Sequence, residues 1–233
     1  MENTTIENHI NYPLEPTVGS SYGMSWEVMK KNFLELLLVV VIYFAISIPA
    51  GVARIGIEAS GLGVGSVLLG LFSLAFTIFV ISPVAYGMAY VFLKVTRGDK
   101  FDVADVFTAF NNNYLQVILA NLLTMAIVIA GMILLIIPGI IFACKLAFVP
   151  YLVMDKEMEA IDAVKTSWSM TKGHTLTIFF MGLLAIPIVI IGFVLLIVGI
   201  IPAAIWIEGA FAAIYLAVDK KLNNHAEEEP VIS

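Results

Sequence analysis

The sequence predicts an all-α integral membrane protein: six transmembrane helices forming three hairpin repeats, each hairpin preceded by a short cytoplasmic amphipathic interfacial helix. Three observations carry this expectation. The 233 residues are 61% hydrophobic and only 13% charged, against about 45–50% apolar and about 25% charged in soluble domains, and mean hydropathy is +0.99. The apolar residues fall in six continuous runs. Ten of the twelve basic residues lie in the gaps on one side of those runs. Continuous runs exclude a closed barrel, whose strands alternate apolar and polar residues. The composition also excludes a disordered chain, a collagen, a coiled coil and an ordinary soluble enzyme.

Residues 1–20, with Pro13, Pro16 and Gly19 among scattered Asn and Thr, read as a flexible cytoplasmic tail. They lack the pattern of a cleavable signal, so the first apolar run is expected to serve as an uncleaved anchor. That run is Phe33 to Val52. The second is Val64 to Leu93, the third Leu115 to Ile137, the fourth Ile140 to Met154, the fifth Leu176 to Gly199 and the sixth Ile201 to Val218. A bilayer core takes about 20 helical residues. The fourth run falls short of this and is expected to insert with its partners. The runs make one membrane domain, residues 21–221, with repeats near 21–97, 102–155 and 157–219. Residues 222–233, with Glu227, Glu228 and Glu229, form an acidic cytoplasmic tail.

Orientation follows from the lysines and arginines. Lys30 and Lys31 precede the first run, and Lys94, Arg97 and Lys100 follow the second. Lys156, Lys165 and Lys172 separate the fourth from the fifth, and Lys220 and Lys221 follow the sixth. The positive-inside rule then places both termini in the cytoplasm. Five spans would scatter the same charges over both sides.

Each repeat opens with a short amphipathic stretch: 22–33, 103–113 and 160–172. In the third, Ala160, Ile161, Val164, Trp168 and Thr171 share one helical face. Such helices are expected to lie in the headgroup plane as a collar, with Trp26, Phe107, Phe110 and Trp168 dipped into the interface and Lys172 facing water. An outbound helix, a proline-bearing break and a return helix follow. The breaks are expected at Pro49, at Pro138-Gly139 and at Pro202. The return helices end in related words: Tyr90 to Lys94, Tyr151 to Asp155 and Tyr215 to Asp219.

The stretch from Ile137 to His174 is the most specific. It holds Ile137-Pro138-Gly139, Lys145 in the next helix, Pro150, Asp155, and the run Ala160-Ile161-Asp162-Ala163-Val164-Lys165-Thr166-Ser167-Trp168-Ser169-Met170-Thr171-Lys172-Gly173. This resembles the bacterial membrane-domain families related to the domain attached to glycerophosphodiester phosphodiesterases. Their pattern is a proline-glycine turn, a basic residue, a proline, an acidic residue, then a helix with a serine-tryptophan pair and a basic-glycine end. Lys145 stands where arginine is usual. The resemblance implies the architecture and a bacterial inner membrane; most such proteins have no assigned activity. No stretch outside the six runs has room for the phosphodiesterase domain, so no catalytic residue is carried over.

Lys145 and Glu208 are the sharpest polar candidates. Lys145 lies seven residues after Pro138, and Glu208 six after Pro202. Both should therefore sit about 9–11 Å below the outer turn at 1.5 Å per residue. A lone charge there costs about 2.5–3.5 kcal/mol on insertion scales, so the two are expected to face inward and pair, as a structural lock or as a gate. Arg54 and Glu58 are expected as a surface pair in the outer loop. Asn121 is expected to bond across helices.

No metal, cofactor or catalytic motif is found: His9 and His225 lie in tails, and His174 opens a span. The single Cys144 excludes an intrachain disulfide. A net charge of −6 gives no field for nucleic acid. The sequence thus points to a non-enzymatic inner-membrane accessory or scaffold protein. Its partners would be the lipid bilayer and another membrane or cytoplasmic protein, engaged through the collar. The alternative is a small-solute or ion transporter using Lys145 and Glu208. The oligomeric state is unknown from sequence.

Overall fold

The computed structural model describes residues 14–61, 63–111, 113–194 and 199–228. Eleven α-helices occur among them: α1 (Val18–Lys31), α2 (Phe33–Ser60), α3 (Val64–Phe76), α4 (Ser82–Arg97), α5 (Thr108–Asn111), α6 (Tyr114–Leu134), α7 (Ile136–Lys145), α8 (Val149–Asp155), α9 (Ala160–Met170), α10 (Thr175–Val194) and α11 (Ile200–Glu228). No strand occurs among the described residues. Six helical stretches are long and apolar enough to cross a membrane: Phe33–Ala59, Val64–Arg97, Tyr114–Leu134, Ile136–Asp155, Thr175–Val194 and Ile200–Asn224. They overlap the six apolar runs in order.

The first span runs through Pro49 without a break. The helix loses one backbone hydrogen bond there, which spanning helices tolerate. The turn comes instead at Gly61, whose φ of 63° and extended ψ favour glycine. Arg54 and Glu58 are consequently helical, in the last turns of α2 rather than in an outer loop, and no ion pair joins them among the described residues.

The second span joins α3 to α4 through a π-helical turn, Thr77–Ile81. Pro83 explains it. Proline has no N–H to give the carbonyl four residues back, which is that of Phe79. That oxygen accepts the Tyr114 hydroxyl at 2.9 Å. The Ser82 hydroxyl donates to the Thr77 carbonyl, and Asn121 Nδ2 donates to Ser82 Oγ at 2.8 Å. The irregular turn thus becomes the seat of α6.

Neither remaining proline break falls on its proline. The chain turns at Leu135, in extended conformation, and Pro138 is the third residue of α7. Pro202 is likewise the third residue of α11. In a first turn the missing N–H has no intrahelical partner to lose. Gly131 and Gly139 let α6 and α7 touch: a Cβ on Gly131 would lie 2.6 Å from the Phe142 ring and 2.9 Å from the Gly139 backbone. Gly192 plays the same part for α10 and α11, with the Gly199 carbonyl at 2.7 Å from such a Cβ.

The core lies at the end of the molecule where the charged residues gather. Phe92 and Leu93 of α4, Leu152 of α8, and Ile214 and Tyr215 of α11 are fully buried there, with Phe148 between α7 and α8. The far ends of the hairpins are apolar and exposed: Val64 78%, Ile133 80%, Val194 72%. The molecule is thus a packed base carrying three hairpin arms.

The first expected collar helix does not lie flat on a surface. In α1, Tyr22 donates to the Met181 carbonyl of α10 at 2.9 Å, and Ser25 donates to the Trp206 carbonyl of α11 at 2.6 Å. The Trp206 indole donates to the Tyr22 carbonyl at 2.8 Å. Gly209 makes room, since a Cβ there would collide with Ser25. Trp206 is the seventh residue of α11, about 9 Å from its start. So α1 packs against a span, its serines and Tyr22 turned inward. Trp26 rests on Trp206 with ring centroids 5.4 Å apart, while 44% of it stays exposed. The expected tail 1–20 lies mostly outside the described residues; from Val18 it is helical. The expected C-terminal tail continues α11 as far as Glu228.

Candidate functional site

Two polar constellations stand at the base. The first gathers the ends of the three returning helices. Arg97, at the end of α4, grips Asp155, at the end of α8, with both guanidinium nitrogens at 2.7 and 2.6 Å. The Tyr215 hydroxyl of α11 reaches the same carboxylate at 3.4 Å, and its ring stacks on Tyr151 at 4.9 Å. Lys156 crosses to Asp219 of α11 at 2.9 Å. Lys94 pairs with Asp105 at 2.9 Å, tying α4 to the 3-10 turn Val103–Phe107. Burial alone would raise the Asp105 carboxyl, but the Asp102 amide and the Lys94 ammonium outweigh it and hold the group below its ordinary range. A bidentate guanidinium–carboxylate pair is both directional and strong. With Asp155 only 10% exposed, the knot fixes how the three helices meet. The tyrosine-led words at the helix ends, read in the sequence as signs of repetition, were the visible signal of this knot; which charges pair was not visible.

The second constellation surrounds the break between α7 and α8. Residues 146–148 leave the helix, freeing the Lys145 carbonyl and the Phe148 amide. Ser167, fully buried on α9, mends both: its hydroxyl donates to the Lys145 carbonyl at 2.7 Å and accepts from the Phe148 amide at 3.3 Å. Thr171 adds a longer bond to the same carbonyl, 3.4 Å. The amine of Lys145 lies 4.9 Å over the Trp168 ring, and Trp168 also meets Phe142 at 5.3 Å. The Gln116 side chain accepts the Ala160 amide at 2.9 Å, capping α9. The stretch expected as the third collar helix is therefore bonded into the bundle, and its serine-tryptophan pair closes a helix break.

The expected Lys145–Glu208 pairing is not what the structure brings together. No ion pair joins them among the described residues. Lys145 is taken by the Trp168 ring, a cation–π contact of about 0.5–1 kcal/mol at exposed sites and about 2 kcal/mol when desolvated. Glu208 sits half-buried in α11. The reason is geometric: equal depth says nothing about which way a helix faces.

Phe107 and Phe110, 40% and 37% exposed, form a ladder with Tyr114 at centroid spacings of 6.4 and 5.6 Å. Lys172 is exposed in the turn between α9 and α10. Cys144 is half-buried and lines an apolar cleft of about 290 Å³ between α7 and α10, with Ile137, Ile140, Ile141, Leu176 and Phe179. No group of three or more potential metal ligands occurs among the described residues. No protein family, curated protein or solved structure matches this chain.

Proposed function

We propose that this chain is a non-enzymatic accessory protein of a bacterial inner membrane that organises lipid around three hairpins of common design, with its charged base in the cytoplasm. The observation that carries the reading is the division of labour between base and arms. The charges of the knot bind helix to helix (Arg97 to Asp155, Lys156 to Asp219), while the arms offer exposed apolar side chains to the bilayer. An apolar cleft between two arms suits an acyl chain. The three-hairpin design is supported by the words Ile136-Ile137-Pro138 and Ile200-Ile201-Pro202, which open α7 and α11 alike. The cytoplasmic base is supported by the concentration of lysine and arginine there.

Extraction into polymer nanodiscs, followed by lipid mass spectrometry, tests the reading. The expected result is a lipid set around the protein enriched several-fold over the bulk membrane. A bulk composition would overturn it. A transporter reading draws on Glu208, a half-buried carboxyl within a span. It would replace the first if proteoliposomes showed a flux that Glu208→Gln abolished without unfolding the protein.

A further inference from the structure

We propose that the pocket between the α9–α10 turn and α11 binds the phosphate group of an anionic lipid. The inference rests on the lipid-organising reading and assigns it a site. The pocket is open, about 380 Å³, and lined by Ser169, Lys172, Gly173, His174, Lys221 and Leu222 among others. No carboxylate lines it. Lys172 and Lys221 are exposed, and neither enters an ion pair among the described residues. Lys94 and Lys156 of the same base, by contrast, are each paired with an aspartate.

Three further features agree. Gly173 takes a φ of 82°, so the turn folds back tightly between Lys172 and His174. Directly after it α10 begins, a 20-residue helix with no acidic residue in its first turn. Its first N–H groups lack intrahelical partners and carry the positive end of the helix dipole, which favours an anion. The His174 imidazole, at the pocket's edge, is held below its ordinary value by burial and by the nearby Lys221 ammonium.

The phosphate of a lipid fits better than a free one. The pocket lies at the mouth of a span, where headgroups sit. The residues after the turn, Thr175 and Leu176, line the apolar cleft toward α7. A phosphate at Lys172 and Lys221 would leave its acyl chains beside that cleft.

The test uses the full chain in nanodiscs of phosphatidylcholine alone, of phosphatidylcholine with phosphatidylglycerol, and of phosphatidylcholine with millimolar inorganic phosphate. Native mass spectrometry reads the lipid retained after release from the disc. At about 1 kcal/mol per basic residue near a lipid surface, Lys172→Gln and Lys221→Gln should each weaken phosphatidylglycerol retention about fivefold, and together about twenty-five-fold. Arginine at both positions should preserve it. Both side chains are exposed, so the variants should keep the wild-type melting temperature. Should a variant fail to fold, the wild-type His174 resonance serves: phosphatidylglycerol should raise its titration midpoint, and inorganic phosphate should not. Equal retention of both lipids by the wild type, unchanged retention in the double glutamine variant, or the same His174 shift with free phosphate would each overturn the proposal. Enrichment of other lipids in native nanodiscs would still stand as support for the wider reading.

Discussion

Arg97 and Asp155 make the sharpest case for a single contact deciding how distant parts of this chain meet. The two are 58 residues apart. Their side chains are 25% and 10% exposed, and two short charge-assisted bonds hold them. Removing one partner strands the other where water reaches it poorly. Hydrogen bonds to charged groups are worth about 1.5–3 kcal/mol, so Asp155→Asn should destabilise the protein by about that much. Tyr215→Phe, which removes the longer bond of 3.4 Å, should cost less, about 0.5–1.5 kcal/mol. The double change Arg97→Met with Asp155→Leu should recover much of the single-variant loss, because paired charges are often replaceable by well-packed apolar groups. Thermal unfolding in detergent would measure each of these variants, and the wild type, Arg97→Met, Asp155→Leu and the double variant close the cycle. Strict additivity of the Arg97→Met and Asp155→Leu effects would show that the pair does not couple α4 to α8.

Between helices, the decisive positions are places where one backbone approaches another. Gly87 of α4 is the clearest. A Cβ there would run into the Val106 carbonyl of the 3-10 turn, and a backbone oxygen has little freedom to move away. Gly87→Ala should therefore push that turn off α4, at a cost of about 1–3 kcal/mol for overpacking. Hydrogen exchange in residues 103–111 should accelerate while the arms stay unaffected; unchanged exchange there would show that the turn is held elsewhere. Such contacts also explain what the sequence made legible. The six spans were readable because hydropathy depends on composition over about 20 residues and needs no partner. The break at Pro49 was misjudged because proline interrupts a helix only where the freed carbonyl has nowhere better to go, and that depends on neighbours. The π-helical turn was hidden for the same reason: Phe79 needs Tyr114, 35 residues on. The burial of α1 could have been suspected from Ser20, Ser21 and Ser25, small polar residues that turn inward with Tyr22, but its partner Trp206 lies 184 residues from Tyr22.

Taken whole, the molecule concentrates its directional bonds at one end and leaves its arms held by little besides small-residue contacts and the surrounding lipid. In a bilayer, apolar arms gain nothing by packing on each other rather than on acyl chains, so the base must supply the specificity. That makes orientation the property on which the functional proposals depend, since a phosphate pocket at Lys172 and Lys221 is useful only in the leaflet whose headgroups it meets. In a Cys144→Ala background, a cysteine at Lys165 on α9 should react with a membrane-impermeant thiol reagent only after cells are opened. One at Val64, at the tip of the first arm and 78% exposed, should react in intact cells. Lys165 is also exposed, so failure to label it from outside would reflect the membrane rather than packing. The reverse pattern would place the lysine-rich base on the outer face, against the positive-inside rule, and would remove the cytoplasmic leaflet as the source of the bound phosphate.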